Sequence, residues 1–482
     1  MRVPWLPSPQ LKRRAKTKVL QLAYLAGAIL VACSGDLERD PAPHVVAFVD
    51  VNVVPMDREV VLPVHTVIVE GSRIAALGPS SEVLVPPGAL RIDGSGHFLM
   101  PGLVDMHVHL GDDEEFLPFV ANGVTTVRNM WGNPPATGWR KRIESGELLG
   151  PTLFTSGPIV DGDPPWFEGS IVLTDAADAA GVVAEHKREG YDFVKILPGL
   201  SLEVFDALLE AAAAEDISVV GHVPDSVDLN HALSSGMASI EELDGYARAL
   251  MADGAGPFGR WTNYVGWAHL DLEKLPGIVQ ATVEAGTWIT PVLFNAERAW
   301  YEQDEFGERL EGASPQYMHP KHLASWRERM PPPEIAQVVQ RGFPSRLTVV
   351  KALHDAGVPI LVGTDSPNSF MPFGFAVHGE LRLLVLAGLT PYEALRAATV
   401  RPAEFLGRAD EFGTIAVGRR ADLLLVRGNP LEDVTHASER VGVMLRGMWL
   451  SEEELQSRMD TLAQQFAALG KTPTDGSPAN QR

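Results

Sequence analysis

Between residues 103 and 365, short apolar runs of strand length recur, separated by alanine-rich stretches long enough for one helix each. The runs are the strand ending at His109, then 124–127, 153–156, 193–197, 219–223, 238–242, 288–293 and 359–363. Strands that are apolar throughout suit a parallel sheet covered on both faces, and parallel neighbours require crossover helices. Eight such units predict an α/β fold, a (β/α)8 TIM-like barrel over residues 101–410, rather than an open sheet.

On either side the pattern changes. Segments such as 45–49 and 66–69 are broken by Gly71, Gly78, Pro86, Pro87 and Gly94, and residues 413–415, 421–426 and 441–448 read as strands of the same kind. They predict a small β-sandwich domain assembled from both ends of the chain, 44–100 and 411–450. Residues 451–482 begin as an acidic helix and end in a polar tract predicted to be disordered.

Lys12, Arg13, Arg14, Lys16 and Lys18 precede an apolar run, 19–32, that is shorter than the roughly 20 residues a bilayer span needs. Residues 1–32 therefore predict an export signal. The only cysteine, Cys33, follows Leu30-Val31-Ala32, which resembles the lipobox of bacterial lipoproteins. That resemblance implies lipidation at Cys33, a linker over 33–43, and an exported, membrane-anchored bacterial lipoprotein on the periplasmic or cell-surface side. A free thiol beside an ordinary cleavage site is the alternative.

The full chain has formal charge −22; without residues 1–32, 34 basic residues face 62 acidic ones, or −28. Phosphate backbones and anionic membranes would repel such a body, so nucleic acid is not an expected partner and membrane contact falls to the lipid alone.

Chemistry enters at residues 103–109. On a strand, positions i and i+2 share a face, so His107 and His109 can converge on one metal ion; two histidines bonded to backbone carbonyls are the alternative. In a barrel of this kind the active site lies at the C-terminal ends of the strands, where Lys195, His222 and Asp365 also fall. Singly, each has a plain reading as a snorkelling lysine, a core histidine or a helix-capping aspartate. Tyr246, just past the sixth strand, and His378, after the eighth, are candidate substrate contacts with packing as the alternative. The groups Asn129 to Asn133 and Trp261, Tyr264 and Trp267 either shape a pocket or pack against its rim.

Five motifs carry a resemblance to a known family: Pro101-Gly102-Leu103-Val104-Asp105-Met106-His107-Val108-His109, Phe193-Val194-Lys195-Ile196, Gly221-His222-Val223-Pro224, Gly363-Thr364-Asp365-Ser366, and the closing segment Gly413 to Leu423. Over about residues 45–450 the chain resembles the amidohydrolase superfamily, in its imidazolonepropionase-like and metal-dependent dipeptidase-like branch. The resemblance implies two divalent metal ions, zinc or manganese. His107, His109 and Asp365 would bind the first, His222 the second, and a carboxylated Lys195 would bridge them. The family pattern has a histidine in the sixth strand where Ser239-Ile240-Glu241-Glu242 puts Glu242, an anionic oxygen ligand in place of a neutral nitrogen.

These roles imply a metal-dependent hydrolase of amide bonds in small peptides or N-acyl amino acids, with a metal-bound hydroxide attacking the carbonyl and Asp365 moving the proton. The alternatives are a cyclic-amide hydrolase, a mononuclear deaminase, and a catalytically impaired ligand-binding lipoprotein. Glu242 favours the last; His107, His109, His222 and Asp365 weigh against it.

Overall fold

The computed structural model describes residues 45–470 apart from 133–134, 257, 302 and 330–331, all within the unit Pro43–Arg482. The fold is α/β. Leu103–Val108, Val124–Asn129 and Thr152–Thr155 form one parallel sheet. A second parallel sheet runs Ile171–Val172, Val160–Asp161, Phe193–Ile196, Ser218–Gly221, Ser239–Glu241 and Trp288–Thr290. Single parallel bridges join Ser156 to Phe193, Ile289 to Ile360 and Val108 to Ser366.

Leu103–Val108 and Val124–Asn129 are buried at every residue, so their polar members, among them Asp105, His107, Arg128 and Asn129, must find partners inside the protein. Residues 359–363, expected as the eighth strand, make single bridges and isolated bonds such as Leu361 N to Ile289 O, 2.8 Å, instead of a continuous ladder. Pro359 lacks an N–H to give. Gly363 is required there, since a Cβ would lie 2.4 Å from Thr290 Cγ2 and 2.7 Å from the His107 Cβ.

Helices bury one stripe each. Leu202–Ala214, capped by the Ser201 hydroxyl on Val204 N, buries Val204, Phe205, Leu208 and Ala212 at three- and four-residue spacing.

Both chain ends combine, their strands hydrogen-bonded into one eight-stranded sheet. Val45–Val53 shifts register around Asp50, whose φ is 57°, and this irregularity lets one edge pair with Leu90–Asp93 and then Phe98–Pro101. Phe98–Pro101 in turn pairs with Leu423–Val426. The expected single strand 441–448 is a hairpin of Arg440–Leu445 and Met448–Ser451, turned by Arg446 and Gly447 at φ 48° and 85°. Residues 413–415 form no strand, because Gly413 turns the chain at φ 91° and Ile415 N bonds to Pro55 O.

The helix Glu452–Leu469 buries Leu455, Met459, Leu462 and Phe466 and packs on Phe116–Ala121. Cys33, the expected export signal and linker, and residues 471–482 lie outside the described residues. No described helix is long and apolar enough to cross a membrane.

Candidate metal centre and its pocket

His107, on Leu103–Val108, and His109, just past it, meet Asp365 from the turn after residues 359–363. One ligand atom from each lies within 4.8 Å of the others. His109 Nε2 is 2.9 Å from Asp365 Oδ1, and His107 Nε2 is 3.6 Å from the same oxygen. The other oxygen of Asp365 accepts from Asn295 Nδ2 at 2.7 Å and from Asn368. Backbone bonds set the geometry: Asp365 N donates to His107 O at 2.7 Å and His109 N to Ser366 O at 2.8 Å.

The electrostatics hold the imidazole neutral and the carboxylate charged. Burial, with the Lys195 charge, pulls His107 down to about 3. Burial pushes Asp365 up, but the His109 hydrogen bond, the neighbouring imidazoles and the Lys195 charge outweigh it and bring it down to about 2. His107 Nε2 is buried with no hydrogen-bond partner, although burying an unmatched acceptor is costly. A divalent cation fits that atom, His109 Nε2 and the Asp365 carboxylate.

The far side of the His107 ring is fixed by residues the sequence reading passed over. His107 Nδ1 is 3.0 Å from Glu241 Oε2, and Glu241 Oε1 accepts from Arg128 at 2.7 Å and Ser239 Oγ at 2.5 Å. All four groups are buried. Burial pushes Glu241 up, yet the Arg128 charge and His107 bond overcome it, so it stays anionic. With Nδ1 so engaged, Nε2 is the atom presented to a metal. Asp105 takes the N–H groups of His107 and Thr364 and the Thr364 hydroxyl, tying the two metal-site segments together. Glu241 and Arg128 are opposite charges on two short buried strands, a burial tolerated only when such charges pair.

Lys195, His222 and Glu242 line the same cavity as His109 and Asp365. Lys195 Nζ is buried without a hydrogen-bond partner among the described residues, and burial lowers its pKa. His222 Nε2 is 3.6 Å from Glu242 Oε1, and its Nδ1 is 3.1 Å from Asp244 Oδ2. Burial and Lys195 depress His222, but the Asp244 bond and the two acidic charges carry it above its usual value. Burial and then Asp365 push Glu242 up to about 7. Gly221 precedes His222 at φ 130°, where a Cβ would sit 2.4 Å from Ile196 O and 3.0 Å from Lys195 Cδ. Glu242 and Leu243 are both left-handed, at φ 59° and 57°, and Arg346 holds the Glu242 carbonyl at 3.1 Å.

The cavity has a volume of about 720 Å3. Tyr246 and His378, expected to touch substrate, do not line it. Tyr246 is fully buried with its hydroxyl 2.9 Å from Thr282 Oγ1, so helix packing consumes it. His378 Nε2 donates to Asn122 O at 3.1 Å, and burial holds its pKa at about 4. Trp131, Trp261 and Tyr264 do line the cavity, whereas Trp267 is buried under the Arg346 guanidinium, 4.6 Å from its ring. Asn129 is also buried, accepting from Leu110 N.

Residues 98–450 match the amidohydrolase family model. Imidazolonepropionase of Chromobacterium violaceum is 26% identical over 413 residues, which cover 79% of this chain and 89% of that protein. Adenine deaminase of Paracoccus denitrificans is 26% identical over 387 residues, 78% of this chain, but the match spans only 53% of the deaminase, about half its length. A Bifidobacterium longum structure described as a prolidase candidate superposes with a TM-score of 0.68 at 25% identity, covering 89% of this chain and all of that one.

Proposed function

The chain belongs to the amidohydrolase family, the metal-dependent hydrolases of carbon–nitrogen bonds, and from that premise we propose that it cleaves amide bonds in small peptides or N-acyl amino acids. The observation that carries the reading is the cluster of His107, His109 and Asp365, of which His109 and Asp365 line one cavity while His107 is buried behind them with its Nε2 unmatched. Similarity to a prolidase candidate and an imidazolonepropionase supports the bond type. The single bridges at Ser156, Ile289 and Val108 support closure of the two parallel sheets as a (β/α)8 barrel, whose strand ends would carry these residues.

In this reading His107, His109 and Asp365 would hold one divalent ion, and Lys195, carboxylated, with His222 and Glu242 would hold a second. Such ions, when bound, supply Lewis-acid polarisation of the scissile carbonyl and activation of the attacking water. Asp365 then takes the proton that water sheds and delivers it to the leaving nitrogen, which needs an amine proton before it can depart. Asn295 and Asn368 fix the carboxylate plane for that transfer. Glu241 and Arg128 keep His107 from turning.

Asp365→Asn tests the assignment: an amide cannot take up the proton, so kcat falls about 10²–10⁴-fold while the thermal melt is kept. Wild-type kcat in that variant sinks the role. We also propose anchoring through Cys33, supported by the sequence before it. Cys33→Ser should move the protein from the detergent phase to the aqueous phase, and identical partitioning with no acyl mass on either protein removes the anchor.

A further inference from the structure

Six aromatic side chains line the cavity, Trp131, Trp166, Phe167, Trp261, Tyr264 and Trp300, and none of them is buried. Trp166 and Phe167 are 36% and 40% exposed, whereas Trp139, Trp267 and Trp326, which do not line the cavity, are buried. Leaving apolar ring area in water forgoes the burial that folding gives such side chains elsewhere, and its concentration on one concave surface marks a ligand site.

Five of the rings fall into two groups whose members pack on one another. Trp131 lies 6.2 Å from the Phe167 centroid at 34° between planes, and Tyr264 lies 4.8 Å from Trp300 at 46°, with Trp261 6.1–6.2 Å from both. Rings fixed by mutual packing form a wall that is shaped before a ligand arrives. The first group begins at the candidate metal centre itself, since the Trp131 ring is 6.2 Å from that of His109. A group bonded close to the scissile carbonyl therefore lies against aromatic faces. The cavity volume is in the range that encloses a drug-sized ligand, more than an aliphatic dipeptide fills.

We propose that this site takes amides whose scissile bond is flanked by an extended aromatic ring system, and that it discriminates against amides of small aliphatic acids. The proposal rests on the hydrolase reading above. The two groups of rings stack on the substrate's planar body while the polar floor of His109, Lys195, His222, Glu242 and Asp365 meets the amide.

The test uses the full chain loaded with Zn²⁺ or Mn²⁺ and two substrates with the same leaving amine, N-(2-naphthoyl)glycine and N-acetylglycine. The expected ratio of kcat/KM is about 100-fold in favour of the naphthoyl compound, and Trp131→Ala and Trp300→Ala each lower that ratio about tenfold or more, mainly through KM. A wild-type ratio near one overturns the proposal, as does an unchanged ratio in both variants when circular dichroism shows them folded. If neither compound is hydrolysed, the hydrolase reading fails for these amides and calorimetric titration of the same protein decides the aromatic proposal separately. Naphthoyl binding about tenfold tighter than acetyl sustains it, and equal or absent binding overturns it.

Discussion

In the proposed assignment Glu242 would place a carboxylate where the family resemblance puts a neutral imidazole, and the site's net charge would drop by one. Oxygen ligands favour harder cations, and an extra anion weakens the Lewis acidity available to the substrate. Glu242→His should therefore shift preference toward Zn²⁺ over Mn²⁺ and move the acid limb of the pH–rate profile to lower pH. Equal metal preference and an unmoved limb in the variant would show that Glu242 does not face the metals. His222 and Asp365 gained their meaning from the family resemblance, whereas the pair His107 and His109 was readable in the sequence because residues two apart on a strand share a face. Glu241 and Arg128 were not, because their meaning lies in a contact between strands 113 residues apart in sequence. Tyr246 misled for the same reason, since nothing local shows that its hydroxyl meets Thr282 on a different helix.

The short helix Leu293–Arg298 brings Asn295 to Asp365, and it begins abruptly after Val292 in the left-handed region at φ 50°. Its first N–H groups have no partner within the helix. Glu380, buried on Ala376–Ala387, supplies one: its carboxylate accepts from Leu293 N at 2.9 Å and Phe294 N at 2.7 Å. Glu380→Ala removes both acceptors from a buried helix end and should cost about 2–4 kcal/mol of stability. Urea unfolding measures it; a change under about 0.5 kcal/mol would mean that the helix end finds other partners. The sequence indicated strands more reliably than their ends, because apolar period is local. Trp288–Thr290 stops three residues before the expected end, where the chain leaves extended geometry to start that helix. The hairpin at Arg446 and Gly447 was hidden because Met444, Leu445 and Met448 keep the apolar pattern running through the turn.

At the scale of the molecule, the two parallel sheets and the turn after residues 359–363 put His109, Lys195, His222, Glu242 and Asp365 around one cavity, with His107 buried beside them. The switch between helix-length and turn-length spacers marked where strands of the two parallel sheets give way to strands of the sheet drawn from both chain ends. That the flanking strands make one sheet depends on a register shift at Asp50, which no periodicity announces. In this reading turnover depends on bound metal. Titrating metal-free protein with Zn²⁺ or Mn²⁺, while following hydrolysis of an N-acyl amino acid, tests it most directly. The rate should be absent without metal and should rise to a plateau at two equivalents. Undiminished turnover in metal-free protein, or a plateau at one equivalent with His222 and Glu242 dispensable, would contradict it.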